Sequence, residues 1–183
     1  MKTKLISAPS PAVSLAEAKS YFRILHDDED ADISRAIMAA QEKAEQITNR
    51  VLVKSTFEVT VDDFSDVKLE KTPLLDVSKI EYISTDGTIK EVTEFVYEMN
   101  VVDDRALVMV LEVPSDLKSG RGNVTITYEA GYETVPSQIQ SYILIHGLTM
   151  FENRHLSKVE GEIDDGSTAY YGHLLDSYRI IPV

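Results

Sequence analysis

The chain reads as an α+β protein: a helical bundle of N-terminal and C-terminal helices with an inserted small antiparallel β-sheet. Two patterns and their junctions predict this. Apolar residues recur at helical spacing before residue 50 and again after 136, whereas residues 55 to 130 carry period-two alternation and turn formers. At 183 residues the chain suits one well-buried unit and is short for two ordinary enzyme domains. We therefore expect a single domain over 1–183, with a helical part at 14–50 and 136–178 and an inserted β part at 55–130.

The first helix is announced by Ser14-x-x-Glu17, which has capping-box form: the serine oxygen accepts from the third helical amide and the glutamate reaches back. Leu15, Ala18, Phe22 and Leu25 then make one apolar stripe over about three turns. Asp27, Asp28, Glu29, Asp30 and Asp32 place carboxylates beside the positive end of a second helix. That helix runs to about Ile47 on Ile33, Ile37, Ala40, Ala44 and Ile47, and its small Ala36 and Ala39 allow a partner helix to approach closely. Asn49 is placed to end it in the left-handed conformation.

From Ser55 the period changes. Phe57, Val59 and Val61 alternate with Glu58, Thr60 and Asp62, the pattern of a strand with one buried face. Further strands are expected at 79–84, 90–92, 95–99, 106–111 and 123–129, with Asp86-Gly87 as a hairpin turn. Pro73 and Pro114 belong in loops, and 114–123 reads as a loop of turn formers. Pro136 suits the first turn of the last long helix, whose stripe is Ile139, Tyr142, Ile143, His146 and Met150, widened by Leu144, Leu148 and Phe151. So broad a band predicts burial on two sides. An acidic, glycine-containing loop at 156–168 is expected to be mobile, followed by a short helix with Tyr170, Leu174, Leu175 and Tyr178 and an extended apolar end.

Composition narrows the function. Eighteen basic and 31 acidic residues give a formal charge of −13, which repels phosphate and argues against gripping nucleic acid. No apolar run approaches the ~20 residues of a membrane span, and the start of the chain lacks a secretory core, so synthesis in the cytoplasm and no membrane partner are expected. The absence of cysteine excludes disulfides, thiolate nucleophiles and cysteine zinc sites.

No motif carries chemistry. Asp28-x-Asp30-x-Asp32 imitates a calcium loop, but Ile33 stands where glycine is required and Ala39 at the twelfth position, so helix capping explains the acids better. His26, His146, His155 and His173 have no metal-ligand spacing, and Gly120-Arg121-Gly122 lacks the rest of a phosphate loop. No catalytic residues, no cofactor and no metal are expected, and the protein is read as not an enzyme.

Ser14-Leu15-Ala16-Glu17-Ala18, Asp27 to Asp30, Thr48-Asn49-Arg50, Pro73-Leu74-Leu75-Asp76-Val77 with Tyr82, Tyr128-Glu129-Ala130-Gly131-Tyr132, Val135-Pro136 and Phe151-Glu152-Asn153-Arg154 follow one another in a set order. In this order and spacing the chain resembles the head-to-tail connector (adaptor, or head-completion) proteins of tailed bacteriophages and prophages, some of which carry a DNA-packaging label. The likeness spans residues 13 to 154, and Leu174 to Arg179 is similar to the usual family ending. The longer loop at 156–168 departs from it.

The resemblance implies a structural virion protein of the neck, with about twelve copies in a ring under the portal. Such a ring extends the DNA channel, with DNA only passing through, and docks a neck or tail completion protein. A soluble binding or regulatory module of a prophage is the alternative, and a metal-dependent hydrolase a more distant one. For the ring contact, Tyr142, Met150, Phe151 and Arg154 supply aromatic and arginine anchors on the last long helix, although Phe151 equally suits closure of the subunit's own core. For gripping the portal or neck protein, Leu174, Leu175, Tyr178, Ile180 and Ile181 form an apolar tail after a free loop.

Overall fold

A computed structural model of the protein describes residues 2–7, 10–65, 67–99, 106–153 and 171–180. The chain divides into two compact units, one formed by Met1–Pro9 and Val53–Glu133, the other by Ser10–Leu52 and Thr134–Val183.

The first unit is built of strands: β1 (Lys2–Leu5), β2 (Ser55–Val61), β3 (Val67–Lys68), β4 (Leu74–Ile83), β5 (Ile89–Val92), β6 (Phe95–Met99), β7 (Ala106–Val110) and β8 (Val124–Ala130). They form a five-stranded sheet in the order β1-β2-β8-β4-β5 and a three-stranded sheet in the order β3-β7-β6. Every pairing between these strands is antiparallel. The period-two pattern of β2 buries Phe57 and Val59, and their partners across the ladder are Tyr128 and Ile126 of β8. Phe57 and Tyr128 stack with ring centroids 5.7 Å apart. Burial pushes the Tyr128 phenol up to about 12.

This overturns the expected architecture. Strand is no small insertion: among the described residues it makes up 31% against 34% helix, as eight strands in two sheets, so the fold is mixed α+β rather than a helical bundle carrying a small sheet. Nor does the sheet begin at residue 55, because β1, which precedes the helices in the chain, pairs with β2 from Lys2↔Thr60 to Leu5↔Phe57. A four-residue edge strand with two lysines hides no apolar face, so its alternation carries little hydrophobic signal.

Gly131 joins β8 to the segment that leaves this unit. Its φ is +123°, and a Cβ there would sit 2.6 Å from the carbonyl carbon and oxygen of Val53. Glycine alone fits such an approach. Its N–H donates to the carbonyl of Pro73 at 2.8 Å, holding three strand ends together. At the β4–β5 hairpin, Gly87 takes φ +85°, and the Asp86 carboxylate accepts from the hydroxyl of Ser84, the N–H of Thr88 and the hydroxyl of Thr88. Those bonds, the Ser84 one foremost, hold the Asp86 carboxyl well below the usual carboxylate range.

The second unit holds α1 (Leu15–Phe22), α2 (Asp30–Thr48), α3 (Ser137–Glu152) and a 3-10 helix (His173–Tyr178). The capping box starts α1: Glu17 N–H donates to Ser14 Oγ at 3.2 Å and Ser14 N–H to Glu17 Oε2 at 2.9 Å. Arg23, at φ 60°, ends the helix in the left-handed conformation, so Leu25 lies beyond it and is 98% exposed. Lys19 bridges the two helices through Asp27 at 2.5 Å and Asp30 at 2.6 Å. Asn49 takes φ 54° and ends α2.

Helix α2 buries Ile33, Ala36, Ile37, Ala40 and Ala44, and α3 buries Ile139, Tyr142, Ile143 and Gly147. Gly147 explains how closely they pack. A Cβ at that position would lie 2.8 Å from Ile37 Cδ1 and 3.7 Å from the carbonyl oxygen of Ala36. Small residues on both helices remove the side-chain layer that otherwise keeps backbones apart.

Candidate interface surfaces

Helix α3 presents its candidate residues on different sides. Tyr142 is 1% exposed, and its ring stacks on His146 with centroids 5.5 Å apart at 22°. Its hydroxyl has no hydrogen-bond partner among the described residues, and burial raises its pKa. Burial, with Lys43 adding repulsion, lowers the pKa of His146. Phe151 is buried and stacks on Phe22 of α1 at 5.8 Å, so it closes the core of its own unit. Met150 lies at the surface, 41% exposed. Arg154 lies outside the described residues. Of the three described candidates on α3, Met150 therefore faces outward while Tyr142 and Phe151 hold the helix against its own neighbours.

The tail is pinned to α2. The N–H of Ile180 donates to the carbonyl of Thr48 at 2.9 Å, Asn49 Nδ2 to the carbonyl of Ile180 at 3.0 Å, and Arg50 Nε to the carbonyl of Tyr178 at 2.7 Å. Leu175 and Ile180 are buried, while Leu174 and Tyr178 are half-buried. A helix C-terminus carries carbonyls without helical partners, and here a returning strand of chain satisfies one of them. Ile181 and the acidic loop at 156–168 lie outside the described residues.

The strand unit carries most of the large exposed apolar side chains. Leu5, Ile6, Ile89, Val96, Met99 and Leu111 all reach its surface. Several lie on β1, β5 and β6, three strands at the ends of their sheets. Sequence reasoning missed this surface because it placed no strand before residue 55 and had no means of ranking strands as edge or centre. The signal was present in Phe95 to Met99, whose alternation buries neither set of residues completely.

Among the described residues, no three metal-ligating side chains converge and no helix is long and apolar enough to cross a membrane.

No family model matches the chain, and no curated protein matches it at significance. Solved structures do. The chain is similar to one from the neck of an empty GTA particle, computed with C6 symmetry, and to one from the virion of a native gene transfer agent (GTA) particle. In both comparisons the TM-score is 0.75 at 18% identity, covering 100% of this chain and 97% of the other. A chain from the neck of a native GTA particle computed with C12 symmetry gives a TM-score of 0.69 at 19% identity over the same shares. At these identities the likeness establishes a shared fold across essentially the whole chain.

Proposed function

We propose that this protein is a head-to-tail connector subunit: a structural component of the neck of a phage-like particle, assembled as a ring between portal and tail. The agreement in fold with chains of GTA necks, over 100% of this chain and 97% of theirs, carries this reading. The C6 and C12 symmetries of those necks favour repetition of one subunit about an axis. A net charge of −13 fits a channel wall along which DNA passes without being held.

In this reading the work is done by surfaces. Exposed Met150 at the end of α3 is a ring-contact residue, with Tyr142 and Phe151 fixing the helix that presents it. Leu174 and Tyr178 form the outward side of a pinned tail available to a portal or neck protein, while Leu175 and Ile180 hold that tail in place. Particles made without this chain are expected to show filled heads lacking tails by electron microscopy. Complete tailed particles in its absence would refute the proposal.

A further inference from the structure

Two strands of the first unit end their sheets with complementary charge. β1 lies at one end of the five-stranded sheet and β6 at one end of the three-stranded sheet, and each has one partner among the described residues. In a chain of net charge −13, β1 is basic, with Lys2 and Lys4 exposed. β6 is acidic, with Glu98 exposed in the strand and Glu94 exposed immediately before it. None of these four side chains forms an ion pair among the described residues. Natural sheets commonly protect such edges, because the unpaired backbone groups are a template for another strand.

The hydrogen-bond phase of each strand decides what a second strand would meet. The N–H of Ile6 donates to Thr56 at 2.9 Å, so even-numbered residues of β1 point their backbone groups at β2 and Thr3 and Leu5 point theirs outward. The N–H of Leu111 donates to the carbonyl of Glu94 at 3.1 Å, so even positions of β6 face β7 and Phe95, Tyr97 and Met99 face outward. Antiparallel pairing of the two free edges must therefore match odd residues with odd. In every such register Lys2 and Lys4 fall on the face of Glu94 and Glu98, and Leu5 falls on the face of Phe95 and Tyr97. The register with Thr3 opposite Tyr97 also sets Lys2 opposite Glu98 and Leu5 opposite Phe95.

We propose that β1 of one copy adds to β6 of a second copy, antiparallel, joining neighbouring subunits through a continuous sheet. The contact uses a different patch on each partner, so it propagates head to tail and can close a ring. Opposite charges directly across a strand pair stabilise it, as does an aliphatic side chain against an aromatic one. This inference rests on the ring reading above and names one of its interfaces.

Self-association of the full chain by sedimentation, with a cross-linking arm, tests it. Lys2→Glu with Lys4→Glu should raise the concentration needed for assembly about tenfold, and adding Glu94→Lys with Glu98→Lys should restore it to within about threefold. Because the chain has no cysteine, mixed Lys4→Cys and Val96→Cys variants should give an oxidative cross-link between copies that neither variant gives alone. Assembly that is indifferent to charge reversal, with no mixed cross-link, overturns the edge pairing and leaves the ring standing. A wild-type chain that stays monomeric at every concentration, with no cross-link, overturns both.

Discussion

Ile180 donates its backbone N–H to the carbonyl of Thr48 at 2.9 Å, so the last described residue of the chain closes the end of the longest helix. Leu175, fully buried, anchors the same segment. The tail therefore belongs to the packing of the helical unit. Leu175→Ala should cost about 2–5 kcal/mol of stability, measured by denaturant unfolding. A loss below about 1 kcal/mol would mean that the tail contributes little to that core.

Gly131 is required by backbone geometry. A methyl group there would meet Val53 backbone atoms at 2.6 Å, and its φ of +123° is one that side chains rarely adopt. Gly131→Ala should destabilise the strand unit by about 3 kcal/mol, read as a drop in melting temperature. An unchanged melting temperature would show that Val53 and Gly131 do not approach in this way.

Gly147 makes a graded prediction. Gly147→Ala gains roughly 1 kcal/mol of helix propensity, and the nearest clash is with the movable end of Ile37, so the change should be close to neutral. Gly147→Val extends into the Ala36 and Ile37 side of α2 and should cost about 1–3 kcal/mol. Equal effects of the two substitutions in chemical denaturation would contradict the close approach of α2 and α3.

His146 gives the helical unit a pH response. Its folded pKa lies below the ordinary 6.5 because burial, reinforced by Lys43, disfavours the imidazolium. A depressed pKa contributes stability that is complete above the unfolded value and is lost as pH falls through that value toward the folded one. Melting temperature should thus fall between about pH 7.5 and 5.5 more steeply in the wild type than in His146→Gln. Parallel pH profiles would remove His146 from this role.

The elements most legible in the sequence were those with an uninterrupted period. The Ser14–Glu17 capping box, the left-handed Asn49 and the alternation of Phe57 and Val59 all appear where their chemistry places them. β4 was legible only from Lys79, because register shifts between Leu74 and Asp76 and between Val77 and Lys79 leave Leu74, Val77 and Ile80 buried at intervals of three. That spacing imitates a helix. β3, with two residues, is too short to show any period. At the candidate surfaces, the anchor chemistry of Tyr142 and Phe151 was readable, but not that Phe22 would meet Phe151 or that Arg50 would hold Tyr178, since both contacts join residues more than a hundred positions apart.

Imaging the purified chain by negative-stain electron microscopy over a concentration series tests the central claim most directly. The account predicts closed rings with a central hole and rotational symmetry, each built from one kind of subunit. Monomers at every concentration, or open filaments with no closed rings, would contradict it.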